Sequence, residues 1–77
     1  MNAEDVKALL LEGLPDCDVS VDFDGYYFNI LVVGEVFQGL RKVQRQQKVL
    51  GLLQEQFASG AIHAVKNIET YTRDEQP

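Results

Sequence analysis

Two runs of apolar–polar alternation flank the dipeptide Asp24–Gly25. In CDVSVDF, Cys17, Val19, Val21 and Phe23 alternate with Asp18, Ser20 and Asp22, and YYFNILVV follows the dipeptide. A period of two marks a strand with one buried face. Asp-Gly between two such runs is a strong hairpin signal, because both central residues of a type I′ turn need positive φ. The sequence predicts a β-hairpin over residues 17–33. Counting outward from the turn sets Phe23 opposite Tyr26, Val21 opposite Phe28, Val19 opposite Ile30 and Cys17 opposite Val32. One face of this hairpin is wholly apolar. The other carries Tyr27, Asn29, Leu31 and Val33 against Ser20 and the acids. Cys17 falls on the apolar face, where a free cysteine behaves as a small hydrophobe.

The flanking segments have helical spacing. Val6, Leu9 and Leu10 form one stripe of a helix over residues 3–12. Asn2 is placed to cap it, Glu4 and Asp5 suit the positive end of its dipole, and Gly13 and Pro15 stop it. After a connection from Gly34 to Gly39, helical spacing returns through Leu40, Val43, Leu50, Leu53 and Phe57. Gly51 lies inside this stretch and costs about 1 kcal/mol relative to alanine. A short helical turn over 40–45 and a longer helix over 46–58 are expected, ending at Ser59–Gly60. The segment AIHAVKNIETYT supplies a third strand, with Ile62, Ala64 and Ile68 on one side and His63, Val65, Asn67 and Glu69 on the other. The expected order is α-β-β-α-α-β, an α+β fold with a three-stranded sheet and helices packed on one face.

A chain of 77 residues makes one domain. Its core is expected over about residues 3–72, with the polar tail RDEQP, residues 73–77, frayed. Hydrophobic residues at 45% and charged residues at 25% exclude a disordered chain. One cysteine forms no internal disulfide. No apolar run reaches membrane-spanning length, and MNAEDVKALL carries acids where a signal peptide carries bases. A cytoplasmic protein with no membrane partner is the expectation.

The net charge of −5 opposes bulk attraction to nucleic acid or anionic lipid. The charge is uneven, however. Seven of the twelve acids lie within residues 1–24, while Arg41, Lys42, Arg45 and Lys48 cluster on one helical stretch. That cluster reads either as a solvated face or as a binding face for a partner or nucleic acid. No nucleophile elbow, P-loop or dinucleotide fingerprint is present, so an enzyme is not expected. A zinc site or an iron–sulfur cluster asks for about four donors. His63 and Cys17 are the only soft ones in this chain. The residues leave His63 as either a hydrogen-bonded strand residue or a ligand whose companions come from another molecule. The isolated chain is expected to hold no cluster and to be a monomer or weak homodimer.

The segment DGYYFNILVVGEVFQGLRKVQRQQKVLGLLQEQFASGAIHAVKNIETYT resembles the BolA family. The resemblance rests on the F-x-I-x-V-V strand, the F-x-G before the basic segment, R-x-V-x-R-x-x entering the helix, and I-H-A-V-x-x-I-x-T-Y-T. It covers about residues 5–72. It implies a fold similar to type II KH domains and a non-enzymatic role in iron homeostasis and stress response. It further implies pairing with a monothiol glutaredoxin and a shared two-iron two-sulfur cluster, to which the glutaredoxin cysteine and a glutathione thiolate each give a ligand. His63 matches the histidine that BolA-like proteins contribute. Many family members carry a second histidine or cysteine near the hairpin loop, where this chain reads FDGYYF. Tyr27, Asp24, Cys17 or water are then the substitutes, and a labile cluster or an apo-type heterodimer is expected. The alternative implied by the resemblance is a DNA-binding transcriptional regulator using residues 40–58, with Arg41, Lys42, Arg45 and Lys48 as contacts. No G-x-x-G loop lies between these helices, so such binding would be weak and salt-sensitive.

Overall fold

Helix α1 (Ala3–Gly13) begins where Asn2 and Asp5 cap each other. The Asn2 side chain accepts from the Asp5 amide at 2.9 Å, and the Asp5 carboxylate accepts from the Asn2 amide at 3.2 Å. Two otherwise orphaned amides are satisfied reciprocally. The helix turns Val6 and Leu10 fully inward. It is followed by β1 (Asp18–Phe23), β2 (Tyr27–Val33), a 3-10 turn over Glu35–Phe37, α2 (Lys42–Gly51), α3 (Gln54–Ser59) and β3 (Ala64–Tyr71), with a last 3-10 turn over Arg73–Glu75. This computed structural model describes residues 1–75.

The sheet order is β1-β2-β3. The β1–β2 pair is antiparallel and the β2–β3 pair parallel, so the sheet is mixed. A parallel pair needs a long crossover, which α2 and α3 supply. Val6, Leu10 and Leu14 of α1 and the following turn meet Val19, Phe28, Ile30 and Val32 of the sheet in one core, closed by Phe37, Val49, Leu53 and Ile62. The opposite face carries Ser20, Asp22 and Glu69 in solvent and a cross-strand hydrogen bond from Asn67 to Asn29 at 3.2 Å. The helices therefore cover one face, as the alternation requires. Fully buried Phe37, Leu10 and Leu53 each contribute about 1.5–3 kcal/mol by leaving water. No helix is long and apolar enough to cross a membrane among the described residues.

Several expected details are corrected. In the hairpin, Val19 pairs with Val32, Val21 with Ile30 and Phe23 with Phe28, two residues away from the counted register. The turn is centred on Gly25 and Tyr26, because Asp24 holds the last paired position and its amide donates to the Tyr27 carbonyl at 3.1 Å. Only Gly25 there has positive φ, at 106°, whereas a type I′ turn would need it at two residues. A slip of two keeps every side chain on its face; a slip of one would have inverted the sheet.

The helical stretch also divides differently. Helix α2 runs unbroken through 45–46, and the break falls at Gly51–Leu53, where the Leu52 and Leu53 amides reach back only three residues, to Val49 and Leu50. That tightening swings Leu53 into the core beside Val49. Val43, expected on the apolar stripe, is 63% exposed.

Strand β3 starts at Ala64, and Lys66 is an extra residue between the pairs Phe28–Val65 and Asn29–Asn67. This bulge switches the parity of the strand. Val65 and Ile68 both pack against the core, while Ala64 moves to the Tyr27 side. Finally, the polar tail is fastened through Glu75 rather than frayed. Arg73 reaches Asp18 at 3.0 Å and the Asp16 carbonyl at 3.1 Å, and Glu75 pairs with Arg45. Gln76 and Pro77 lie outside the described residues.

Candidate functional site

His63 stands one residue before β3, flanked by buried Ile62, whose amide donates to the Gln56 carbonyl at 3.1 Å. Anchoring Ile62 turns His63 outward, and its side chain is exposed. The imidazole lies against the ring of Tyr26, with centroids 5.8 Å apart and planes 10° from parallel. This is an offset stack. Tyr26 in turn meets Tyr27 edge-on, with centroids at 4.7 Å and planes at 74°. Tyr27 pairs with Ala64, so the parallel register fastens the hairpin tip to the residue after the histidine.

Asp24 builds the turn that presents these rings. Its Oδ1 accepts from the Tyr27 amide at 2.7 Å and the Tyr26 amide at 3.0 Å. Those two donors, Tyr27 foremost, hold its carboxyl below the ordinary range. One carboxylate oxygen is thus committed to the backbone.

Of the expected donors, His63, Tyr27 and Asp24 gather at this tip. Cys17 does not. It precedes the far end of β1, about 20 Å away at the usual rise of a six-residue strand. It is 6% exposed, and burial foremost pushes its thiol pKa up, which disfavours the thiolate that binds metal. Among the described residues no group of three or more His, Cys, Asp or Glu side chains comes together as a metal site. The tip therefore offers one exposed imidazole beside phenol and carboxylate oxygens.

The basic cluster is split. Arg45 has only 13% of its side chain exposed and forms a forked pair with Glu75, at 2.6 and 3.1 Å. Its Nε also donates to the Leu40 carbonyl at 2.9 Å. Arg41, Lys42 and Lys48 remain exposed. Sequence reasoning missed two partners here, Tyr26 for His63 and Glu75 for Arg45. Both depend on how β3 aligns with distant segments, and neither has a local sequence signal.

The site thus sits on a mixed three-stranded sheet backed by three helices, the architecture of solved BolA structures. The sequence model of the BolA-like protein family matches residues 21–75, and the chain belongs to that family. It is 39% identical over 72 residues to the acid stress protein IbaG of Escherichia coli K12, covering 94% of this chain and 84% of that one. An uncharacterised protein from the rpoN–murA intergenic region of Acinetobacter guillouiae is 37% identical, with coverage of 97% and 89%. Among solved structures, a BolA protein homologue from Coxiella burnetii superposes with a TM-score of 0.82 at 30% identity, covering 97% of this chain and 95% of that one. BolA1 from Arabidopsis thaliana gives the same TM-score and coverage at 27% identity.

Proposed function

We propose that this protein pairs with a monothiol glutaredoxin and contributes His63 to a shared two-iron two-sulfur cluster, acting in iron homeostasis and stress response without catalysing a reaction. The observation that carries this reading is the placing of His63: a lone exposed imidazole at the entry to β3, beside the hairpin tip. Such a donor is useful only if the rest of the coordination comes from elsewhere. When bound, the cluster supplies iron whose reduction potential rises as imidazole replaces thiolate. The chain's own part is to hold the imidazole outward through buried Ile62 and to set the neighbouring turn through Asp24. The stress-response element draws on the relative described as an acid stress protein. A cytoplasmic setting suits a lone reduced thiol such as Cys17.

DNA-binding regulation through residues 40–58 of a KH-like fold is the second reading, favoured by the exposed cations Arg41, Lys42 and Lys48. It is weaker. The net charge is −5, and Arg45 is engaged by Glu75.

The test is anaerobic mixing with a cluster-loaded monothiol glutaredoxin, followed by visible circular dichroism. Wild-type protein is expected to change the cluster's spectrum. His63→Ala should fold normally and either alter that spectrum or shorten the cluster's life. Identical spectra and lifetimes for the two proteins would defeat the shared-cluster reading.

A further inference from the structure

Tyr26 is 55% exposed, so core burial does not explain its ring. Nor does the turn demand it. Asp24 binds the Tyr26 amide, which any non-proline residue would offer, and φ is positive at Gly25 and not at Tyr26. What the ring does touch is informative. One aromatic neighbour is Tyr27, which braces it edge-on, and the other is His63, on which it stacks.

We infer that Tyr26 is a positioning residue for His63, an aromatic wall that fixes the plane of the imidazole at the hairpin tip. The inference rests on the reading of His63 as a ligand and names the residue that orients it. An exposed histidine otherwise samples several χ1 wells and a broad χ2. Stacking narrows that range without competing for the metal, because an imidazole nitrogen donates through a lone pair in the ring plane while the stack occupies a ring face. Asp24, Tyr26 and Tyr27 thus form a chain of support. The carboxylate sets the turn, the turn sets the two tyrosines, and Tyr26 sets the histidine. At a hairpin tip without a second soft donor, this wall supplies orientation in place of a second bond.

The experiment uses Tyr26→Phe, Tyr26→Ser and His63→Ala, each read in two ways. The first readout is the proton NMR of the His63 ring in the free protein, where a stacked ring shifts the imidazole resonances upfield. The second is cluster lifetime in the complex with glutaredoxin. Tyr26→Phe should keep both wild-type values. Tyr26→Ser should return the His63 resonances to the random-coil position and shorten the lifetime about 2- to 10-fold, the effect of one aromatic pair. Thermal midpoints should stay close to wild type because Tyr26 is exposed. A Tyr26→Ser protein with wild-type resonances or lifetime, beside a His63→Ala protein that loses the cluster, would overturn the positioning role and leave the ligand reading standing. A Tyr26→Phe protein that behaves like Tyr26→Ser would also overturn it, by assigning the effect to the hydroxyl. If His63→Ala itself changes nothing, the ligand reading falls and the positioning role falls with it.

Discussion

Gly34→Ala is expected to destabilise this protein although the backbone there would accept alanine. Gly34 has φ −178° and ψ 158°, ordinary extended geometry. The obstacle is packing. A Cβ at that position would overlap the Cys17 Sγ and sit 3.2 Å from its Cβ and 3.4 Å from its Cα. Overpacking of this kind costs about 1–3 kcal/mol. Replacing glycine also stiffens the unfolded chain, which returns about 0.4–1 kcal/mol. The net loss is about 1–2 kcal/mol, or a fall of about 4–16 °C in melting temperature for a domain of this size. Urea unfolding should show a lower midpoint at unchanged slope. In a double-mutant cycle, Cys17→Ala removes the overlapping sulfur, so the pair should be less than additive by about 0.5–1 kcal/mol. Strict additivity, or a Gly34→Ala protein as stable as wild type, would refute the reasoning.

Glu75→Gln should flatten the acid limb of the stability profile. Arg45, foremost through its side-chain hydrogen bond, lowers the Glu75 pKa from 4.5 to about 2. A depressed carboxylate contributes fully above its unfolded value and loses that contribution as pH falls toward the folded one. Thermal midpoints between pH 5 and pH 2 should therefore slope less in the variant, and parallel profiles would refute the assignment. Tyr27→His adds a soft donor at the residue that pairs with Ala64, the neighbour of His63, and should lengthen cluster life in the glutaredoxin complex; an unchanged lifetime would count against the tip as the cluster-facing site. Duplex DNA binding by wild type should be absent at physiological salt. A sequence-specific complex of sub-micromolar affinity, lost in Arg41→Glu/Lys42→Glu, would favour the regulator reading instead.

The faces of the hairpin were legible because they depend only on parity, and Cys17, Val19, Phe28, Ile30 and Val32 all reach the core as the alternation implies. The pairing register was not, since the Asp24 side chain decides where the turn is centred and a two-residue slip leaves the pattern unchanged. The bulge had a trace in the sequence. Val65 and Ile68 are both apolar yet three apart, which strict alternation cannot place on one face. The division of the basic segment was hidden because Gly51 looks like a tolerated interruption, while the tightening after it depends on burying Leu53. His63 itself was legible, as the lone imidazole in a distinctive motif. Its stacking partner was not, because Tyr26 reaches it only through the parallel alignment of β2 with β3 across a helical crossover.

The bulge at Lys66 bears on solubility as well as on packing. Both outer strands of this sheet, β1 and β3, have one side that pairs with no other strand in the sheet. Such rims template edge-to-edge growth into fibrils unless they are twisted, charged or covered. In β3 the inserted Lys66 is an exposed cation at the bulge, a feature that strengthens local twist, and Arg45 donates to the Thr70 carbonyl at 3.4 Å. Along β1 the exposed Asp22 repels an identical strand approaching in register. Deleting Lys66 would straighten β3 and remove its guard. The expected product is a protein that still collapses but self-associates in the test tube.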